Sequence, residues 1–377
     1  MNTLITNIGQ LIAPAPDSSA LRAGTTFAVQ EHTELSIQGG RITRIGCSDP
    51  SEHVDCSIDA RGGVVMPGLI DPHTHFVPEV RSDVTGAADS DHELPLGQAM
   101  HNRLRRALIE GVTTIEVKCR TLDELRDLSA AAHATDHQYP KIIATLCGAG
   151  PATGVPHAES MANLIADAIP TVRRRRLATF CDVECSSEAY SIDEARTILR
   201  AARAACLHLK LHGSGASVSG IGDVAAELGV SAIAYLQTID RAEATVLGRS
   251  GVVPIFLPGA ALAAGTPYPD AQSMREAGLA VGLGTNAGSP SPSVGSVWLV
   301  IALAVTALGM SLEQAITAAT FHNAQAIEAA GEIGAADVGK QADLIVLDVR
   351  DYRELLCGLG ENAVRLVIRD GEVVHQR

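Results

Sequence analysis

Apolar and polar residues alternate with a period of two at both ends of this chain. In the middle, longer apolar runs are separated by stretches of helical period. Thr3 to Ile8, Thr33 to Gln38 and Arg41 to Gly46 read as short strands. The segment SIQGGRITRIG, residues 36–46, is a hairpin signature: two alternating runs around Gly39-Gly40. The C-terminal segments GKQADLIVLD and AVRLVIRDGEVVH also read as strands, the second turning at Asp370-Gly371. The pattern predicts one small β-sheet domain built from both termini, residues 1–65 plus 335–377.

Residues 66–334 carry eight apolar strand-like runs: GLIDPHTH, GVTTIEVK, KIIATLCGA, ATFCDVEC, HLKLH, SAIAYL, VVPIFLPG and AVGLGTN. Helical stretches fit between them, for example Ile192 to Ala205 and Asp223 to Leu228. Eight strand–helix units predict an α/β fold, a (β/α)8 TIM-like barrel with its chemistry at the C-terminal strand ends. A doubly wound open sheet is the alternative, but no GxGxxG follows the first strand.

Composition narrows the partners. The 377 residues are 46% hydrophobic and 19% charged, as in a globular enzyme with a large domain and a smaller one. A formal charge of −14 argues against nucleic acid or an anionic membrane, and 3% aromatics argue against a base-stacking surface. The start MNTLITNIGQ has neither a basic nor an apolar leader region, and no apolar run approaches the roughly 20 residues of a membrane span. The eight cysteines have no zinc-ribbon spacing, so Cys181 and Cys185 read as buried thiols. Four arginines, Arg173 to Arg176, read as a solvated helix end. These features predict a cytoplasmic homodimer acting on a small molecule.

The candidate chemistry centres on MPGLIDPHTHF, residues 66–76. Alternate residues of a strand point the same way, so His73 and His75 share a face. With His212 at the end of the fifth run they form a candidate site for one divalent metal ion, zinc or iron. Asn286 also falls at a strand end and is a candidate catalytic residue of the same site. Lys210 and His208 alternate with His212 and are expected to face into the barrel or its floor, His208 as a hydrogen-bonded interior residue. Glu184 is a candidate base or replacement ligand, and Tyr235 a candidate hydrogen-bond donor to a developing oxyanion. Lys118 is a candidate substrate contact or a structural partner of Glu116. His157, after the Gly/Pro-rich loop from Gly148 to Pro156 that reads as a lid, is a candidate substrate contact or a mobile exposed residue.

Over nearly its whole length the chain resembles the amidohydrolase superfamily, and within it the imidazolonepropionases. The likeness rests on PGLIDPHTH, GVTTIEVK, FCDVEC, LKLH, GSPSPS and VGKQADLIVLD. The resemblance implies one metal held by an HxH on strand one, a histidine on strand five and an aspartate on strand eight. Its metal-activated water opens a cyclic amide. His73, His75 and His212 match the histidine ligands, and Arg81 matches a substrate-binding arginine. The rest departs. Asn286 stands where the family has an aspartate. Gly213-Ser214-Gly215 lacks the catalytic glutamate, Ala234-Tyr235-Leu236 lacks the strand-six histidine, and Cys119-Arg120-Thr121 lacks the Gly-Tyr-Gly that contacts substrate. Cys147 to Gly150 lacks a further substrate-binding histidine.

Losing these groups together removes the hydrolytic acid–base set, since an asparagine amide neither takes a proton from water nor adds negative charge to a metal. Imidazolonepropionase activity itself is not expected. Three functions are consistent with the chain. The first is heterocycle-forming cyclisation by dehydration, by analogy with the amidohydrolase-like cyclases of bacterial natural-product pathways that form benzoxazole rings. The second is hydrolysis of a cyclic amide or amidine with a relocated base. The third is a non-catalytic binding protein.

Overall fold

The apolar run from Val64 to Ile70 is shared between two sheets and divides at Gly68. A side chain at Gly68 would put its Cβ 2.3 Å from the Thr113 side chain, so glycine lets the chain pass from one sheet into the other. The protein is seen in a computed structural model describing residues 1–14, 27–48, 51, 53–75, 96–134, 138–148, 150, 155–186, 188–213, 220–235, 241–289 and 294–377.

The N-terminal strands are β1 (Asn2–Pro14), β2 (Phe27–Gln38), β3 (Arg41–Ile45), β4 (Cys56–Asp59) and β5 (Val64–Pro67). Eight parallel strands follow among the described residues: β6 (Leu69–Thr74), β7 (Val112–Cys119), β8 (Lys141–Gly148), β9 (Phe180–Cys185), β10 (His208–Gly213), β11 (Ala232–Ala234), β12 (Val253–Phe256) and β13 (Gly282–Leu283). The chain then returns through β14 (Leu344–Leu347), β15 (Val364–Arg369) and β16 (Glu372–Gln376). These join the first five strands in the order β16-β15-β14-β5-β1-β2-β3, with β4 beside β1. One sheet therefore draws on both termini, and Ile5, Leu11, Leu35, Leu344 and Ile368 belong to its core. Its expected turns are present. Gly39 and Gly40 (φ +57° and +79°) and Asp370 and Gly371 (+52° and +79°) have the paired positive φ of tight hairpins.

The parallel strands pair in sequence order from β6 to β13, which makes a nearly closed barrel. Among the described residues no strand ladder joins β13 to β6, so side chains and loop backbone carry the seam. The Asn323 amide donates to Ile70 O and Leu283 O, both at 2.7 Å, and accepts from Leu283 N at 3.0 Å. Asp71 accepts from Thr285 N at 3.2 Å and Thr285 Oγ1 at 2.5 Å. Asn286 N donates to His73 O at 3.1 Å, and His75 N to Ala287 O at 2.6 Å.

Some elements differ from the expectation. The sixth strand is shorter than the run SAIAYL because Tyr235 turns to positive φ directly after Ala234, and the eighth is shorter than AVGLGTN, ending at Leu283, three residues before the positive-φ Asn286. His208 is exposed at the start of β10, its ring 5.3 Å from that of Phe180, and is not an interior hydrogen-bonded residue. Its place at the N-terminal edge of the strand leaves it outside the barrel interior. The arginine run closes the helix Ile169–Arg175, with Arg176 in the left-handed cap position. Among the described residues, no helix is long and apolar enough to cross a membrane.

Candidate active site

The C-terminal ends of β6 and β10 bring three imidazoles together. His73 is buried, and its Nε2 lies 3.4 Å from Nε2 of His75. Two nitrogens bound to one tetrahedral zinc at about 2.0–2.1 Å sit roughly 3.4 Å apart, so this pair has the spacing of two ligands. Burial, with the Lys118 charge nearby, holds His73 well below the usual histidine range and brings His75 down to about 3, so both rings are neutral. The His212 ring stands edge-on to His73, with centroids 5.7 Å apart and planes at 86°.

Strand register explains the surroundings of His212. On β10 it lies opposite Glu184 of β9, while Lys210 lies opposite Asp182. His212 Nδ1 is 3.0 Å from Asp182 Oδ2, and Nε2 is 3.7 Å from Glu184 Oε2. Burial pulls the His212 pKa down, but the two carboxylates overcome it and lift it to about 9. Burial likewise opposes ionisation of Asp182, and His212 and Lys118 overcome it, holding the carboxyl well below its ordinary value.

Beneath the histidines is a buried polar ladder. Lys118 Nζ bonds Asp182 Oδ2 and lies 3.0 Å from Glu116 Oε1, which also accepts from Thr145 Oγ1 at 2.7 Å. Lys210 Nζ bonds Glu116 Oε2 and sits 4.6 Å from the centre of the Phe180 ring. Alternation on β7 turns Glu116 and Lys118 to the same side, into the barrel. Lys118 is therefore engaged by two carboxylates and is not a free substrate contact. Among the described residues, one trio of potential ligand atoms falls within 4.8 Å: Cys147, Asp182 and His212. We read it as an ion-pair node. The Lys118 ammonium already occupies Asp182, and burial, with the Asp182 charge, pushes the Cys147 thiol well above the thiolate range.

Tyr235 and Asn286 meet over His73. The Asn286 amide Nδ2 donates to the Tyr235 hydroxyl, and the Tyr235 and His73 rings are 5.8 Å apart at 73°. Burial pushes Tyr235 ionisation upward, so its phenol keeps its proton. Asn286 Oδ1 is buried with no hydrogen-bond partner among the described residues.

The remaining candidates are scattered. Arg81 and residues 214 and 215 lie outside the described residues, as does most of the loop before His157. His157 begins the helix His157–Asn163, with Nδ1 3.2 Å from Glu194 and its ring 5.2 Å from Tyr190. It is a half-buried, paired residue at the helix start and not an exposed one. Glu184 also lies 4.0 Å from Arg120. Sequence reasoning passed over Asp71 and Asp182. Asp182 had a signal in FCDVEC, two residues before Glu184 and hence on the same strand face. Burial raises the Asp71 carboxyl to about 7 against the hydrogen bonds from Thr285.

A profile of the amidohydrolase family matches residues 64–374. Imidazolonepropionase from Porphyromonas gingivalis is 31% identical over 415 residues, spanning 100% of this chain and 98% of its own. Solved structures share the fold. An adenosine deaminase from Xanthomonas campestris with bound zinc matches with a TM-score of 0.73 and 16% identity, over 98% of this chain and 92% of its own. A mutant atrazine chlorohydrolase from Arthrobacter aurescens, complexed with zinc and atraton, matches with a TM-score of 0.76 and 18% identity, over 98% and 94%. The chain is an enzyme belonging to the amidohydrolase family. Within that family it falls in the imidazolonepropionase-like branch.

Proposed function

We propose that this chain is a metal-dependent enzyme that closes a small nitrogen heterocycle of oxazole or benzoxazole type by dehydration. The observation that carries the reading is the Tyr235–Asn286 pair. These residues stand where the resemblance places a histidine and an aspartate, and both are neutral hydrogen-bonding groups. A site without a base at these positions suits a reaction that expels water better than one that activates it. The spacing and neutrality of His73 and His75 fit a metal ligand pair, with His212 as the third imidazole. A zinc or iron ion held there would supply Lewis acidity toward a carbonyl oxygen.

In the proposed reaction, a hydroxyl in the substrate attacks the carbonyl carbon of a neighbouring amide, forming the ring C–O bond. The carbonyl oxygen leaves as water, with one proton from the hydroxyl and one from the amide nitrogen. Attack within one molecule needs orientation but no second reactant. Tyr235 donates its phenolic proton toward the departing oxygen and regains one afterwards. Asn286 holds that phenol and adds no charge.

Glu184 supports a second reading. Its carboxylate lies 3.7 Å from Nε2 of His212, a place from which a relocated base would serve hydrolysis of a cyclic amide, the chemistry of the imidazolonepropionase relatives. Incubation in 18O water separates the two. An ortho-hydroxyanilide should lose one water and gain no label under the first reading. Opening of an imidazolone, with one labelled oxygen in the product, establishes the second in its place.

A further inference from the structure

We propose that Asp182 is a positioning residue for His212, setting which imidazole nitrogen faces the metal; the inference rests on the metal-dependent reading of the three histidines. Asp182 is 0% exposed and lies two residues before Glu184 on β9. Its Oδ2 accepts from Nδ1 of His212 at 3.0 Å, while Nε2 of the same ring reaches toward Glu184 at 3.7 Å. Since Glu184 is nearer the C-terminal end of β9, the ring runs along the barrel axis with Nδ1 toward the floor and Nε2 toward the mouth. A proton fixed on Nδ1 leaves the Nε2 lone pair free to ligate.

The carboxylate is itself pinned. Lys118 Nζ bonds the same oxygen, Oδ2, and is also 3.0 Å from Glu116. Glu116 is tied to Thr145 at 2.7 Å and to Lys210. The buried ladder is thus a mount: two lysines and two carboxylates from three strands hold one oxygen against one imidazole nitrogen. Glu184 and Asp182 differ in this respect. Glu184 is on the side of Nε2, whereas Asp182 contacts Nδ1.

The test uses the full-length protein, with zinc as the probe. Asp182→Asn puts an amide where the anionic acceptor was. In chelator competition it should weaken zinc binding about 10- to 100-fold, the usual cost of losing such an outer partner. Should the excess positive charge left in the ladder prevent folding of that variant, Asp182→Asn with Lys118→Met restores a neutral interior and carries the same expectation. The second readout is the 15N shifts of the His212 ring in metal-free protein, followed up the pH scale until the ring is neutral. The wild-type ring should carry its proton on Nδ1, and the variant should shift toward protonation on Nε2. A folded variant with wild-type zinc affinity and unchanged 15N shifts overturns the proposal and reduces Asp182 to a partner of Lys118. Should wild-type protein take up no zinc, the metal reading falls, and the 15N shifts alone still decide whether Asp182 sets the ring.

Discussion

The side chains of Tyr235 and Asn286 are hydrogen-bonded to each other, and both residues hold left-handed backbone, φ +61° and +59°. A tyrosine in this region is sterically disfavoured and is held there by its surroundings. Tyr235 directly follows β11 and Asn286 lies three residues after β13, and their hydrogen bond joins strand ends six and eight beside His73. The positions where the resemblance leads to a histidine and an aspartate are thus occupied by a coupled, neutral pair.

Asn286→Asp tests the charge balance of that arrangement. Three imidazole ligands would leave a divalent ion held there uncompensated, and a carboxylate at position 286 would add a negative ligand. Zinc affinity in chelator competition should rise at least about tenfold, the usual scale of a changed ligand contact. Unchanged affinity would place Asn286 outside reach of the ion.

Barrel closure depends on one buried amide. Asn323 is 0% exposed and makes three hydrogen bonds across the seam between β13 and β6. Gly282 makes room for it, since a Cβ there would come within 2.5 Å of Asn323 Oδ1. Asn323→Ala leaves buried backbone groups unpaired and should cost about 2–5 kcal/mol. The urea midpoint should fall accordingly; a shift equivalent to less than about 1 kcal/mol would mean that the neighbouring Asp71–Thr285 contacts close the barrel alone.

Acid should destabilise the fold partly through His322. Its Nδ1 lies 2.8 Å from Val281 O, and burial lowers its pKa to about 4 from the ordinary 6.5. Between those values the unfolded chain binds the extra proton, so stability rises with pH there. The stability is fully present above about pH 6.5 and is lost as pH falls toward 4, with a slope of at most about 1.4 kcal/mol per pH unit. His322→Gln, which retains a donor, should show a shallower decline in urea stability between pH 7 and 5. Parallel declines would assign the acid sensitivity elsewhere, His73 and His75 being next in line.

Period and punctuation made the architecture legible. GGRIT and DGEVV named their hairpins, the eight apolar runs named the barrel, and HxH alternation put His73 and His75 on one side. Three-dimensional register was not legible. That Asp182 meets His212 depends on how β9 slides against β10, and a one-residue slip would have exchanged the facing sets. The exposed His208 was misjudged for a related reason, because alternation gives a face but not the depth of a residue along the barrel. Seam residues such as Asn323 lie beyond any local pattern.

The direction of chemistry can be decided by comparing two single substitutions. Tyr235→Phe removes a phenolic hydroxyl and leaves the ring packed against His73. If the enzyme closes rings, that donor assists departure of the carbonyl oxygen. A donor of this kind contributes roughly 2.7–4 kcal/mol to other enzymes, so the rate on an open-chain amide with an ortho hydroxyl should drop on the order of 100-fold or more. Glu184→Gln keeps the size of the side chain and removes its charge beside His212. It should cost less than about tenfold, because dehydration needs no base to activate water. Hydrolysis reverses the ranking, since Glu184 would then take the proton from water. Initial rates of both variants on the open-chain amide and on an imidazolone provide the comparison. Imidazolone opening abolished by Glu184→Gln and unaffected by Tyr235→Phe would replace ring closure with hydrolysis as the function of this site.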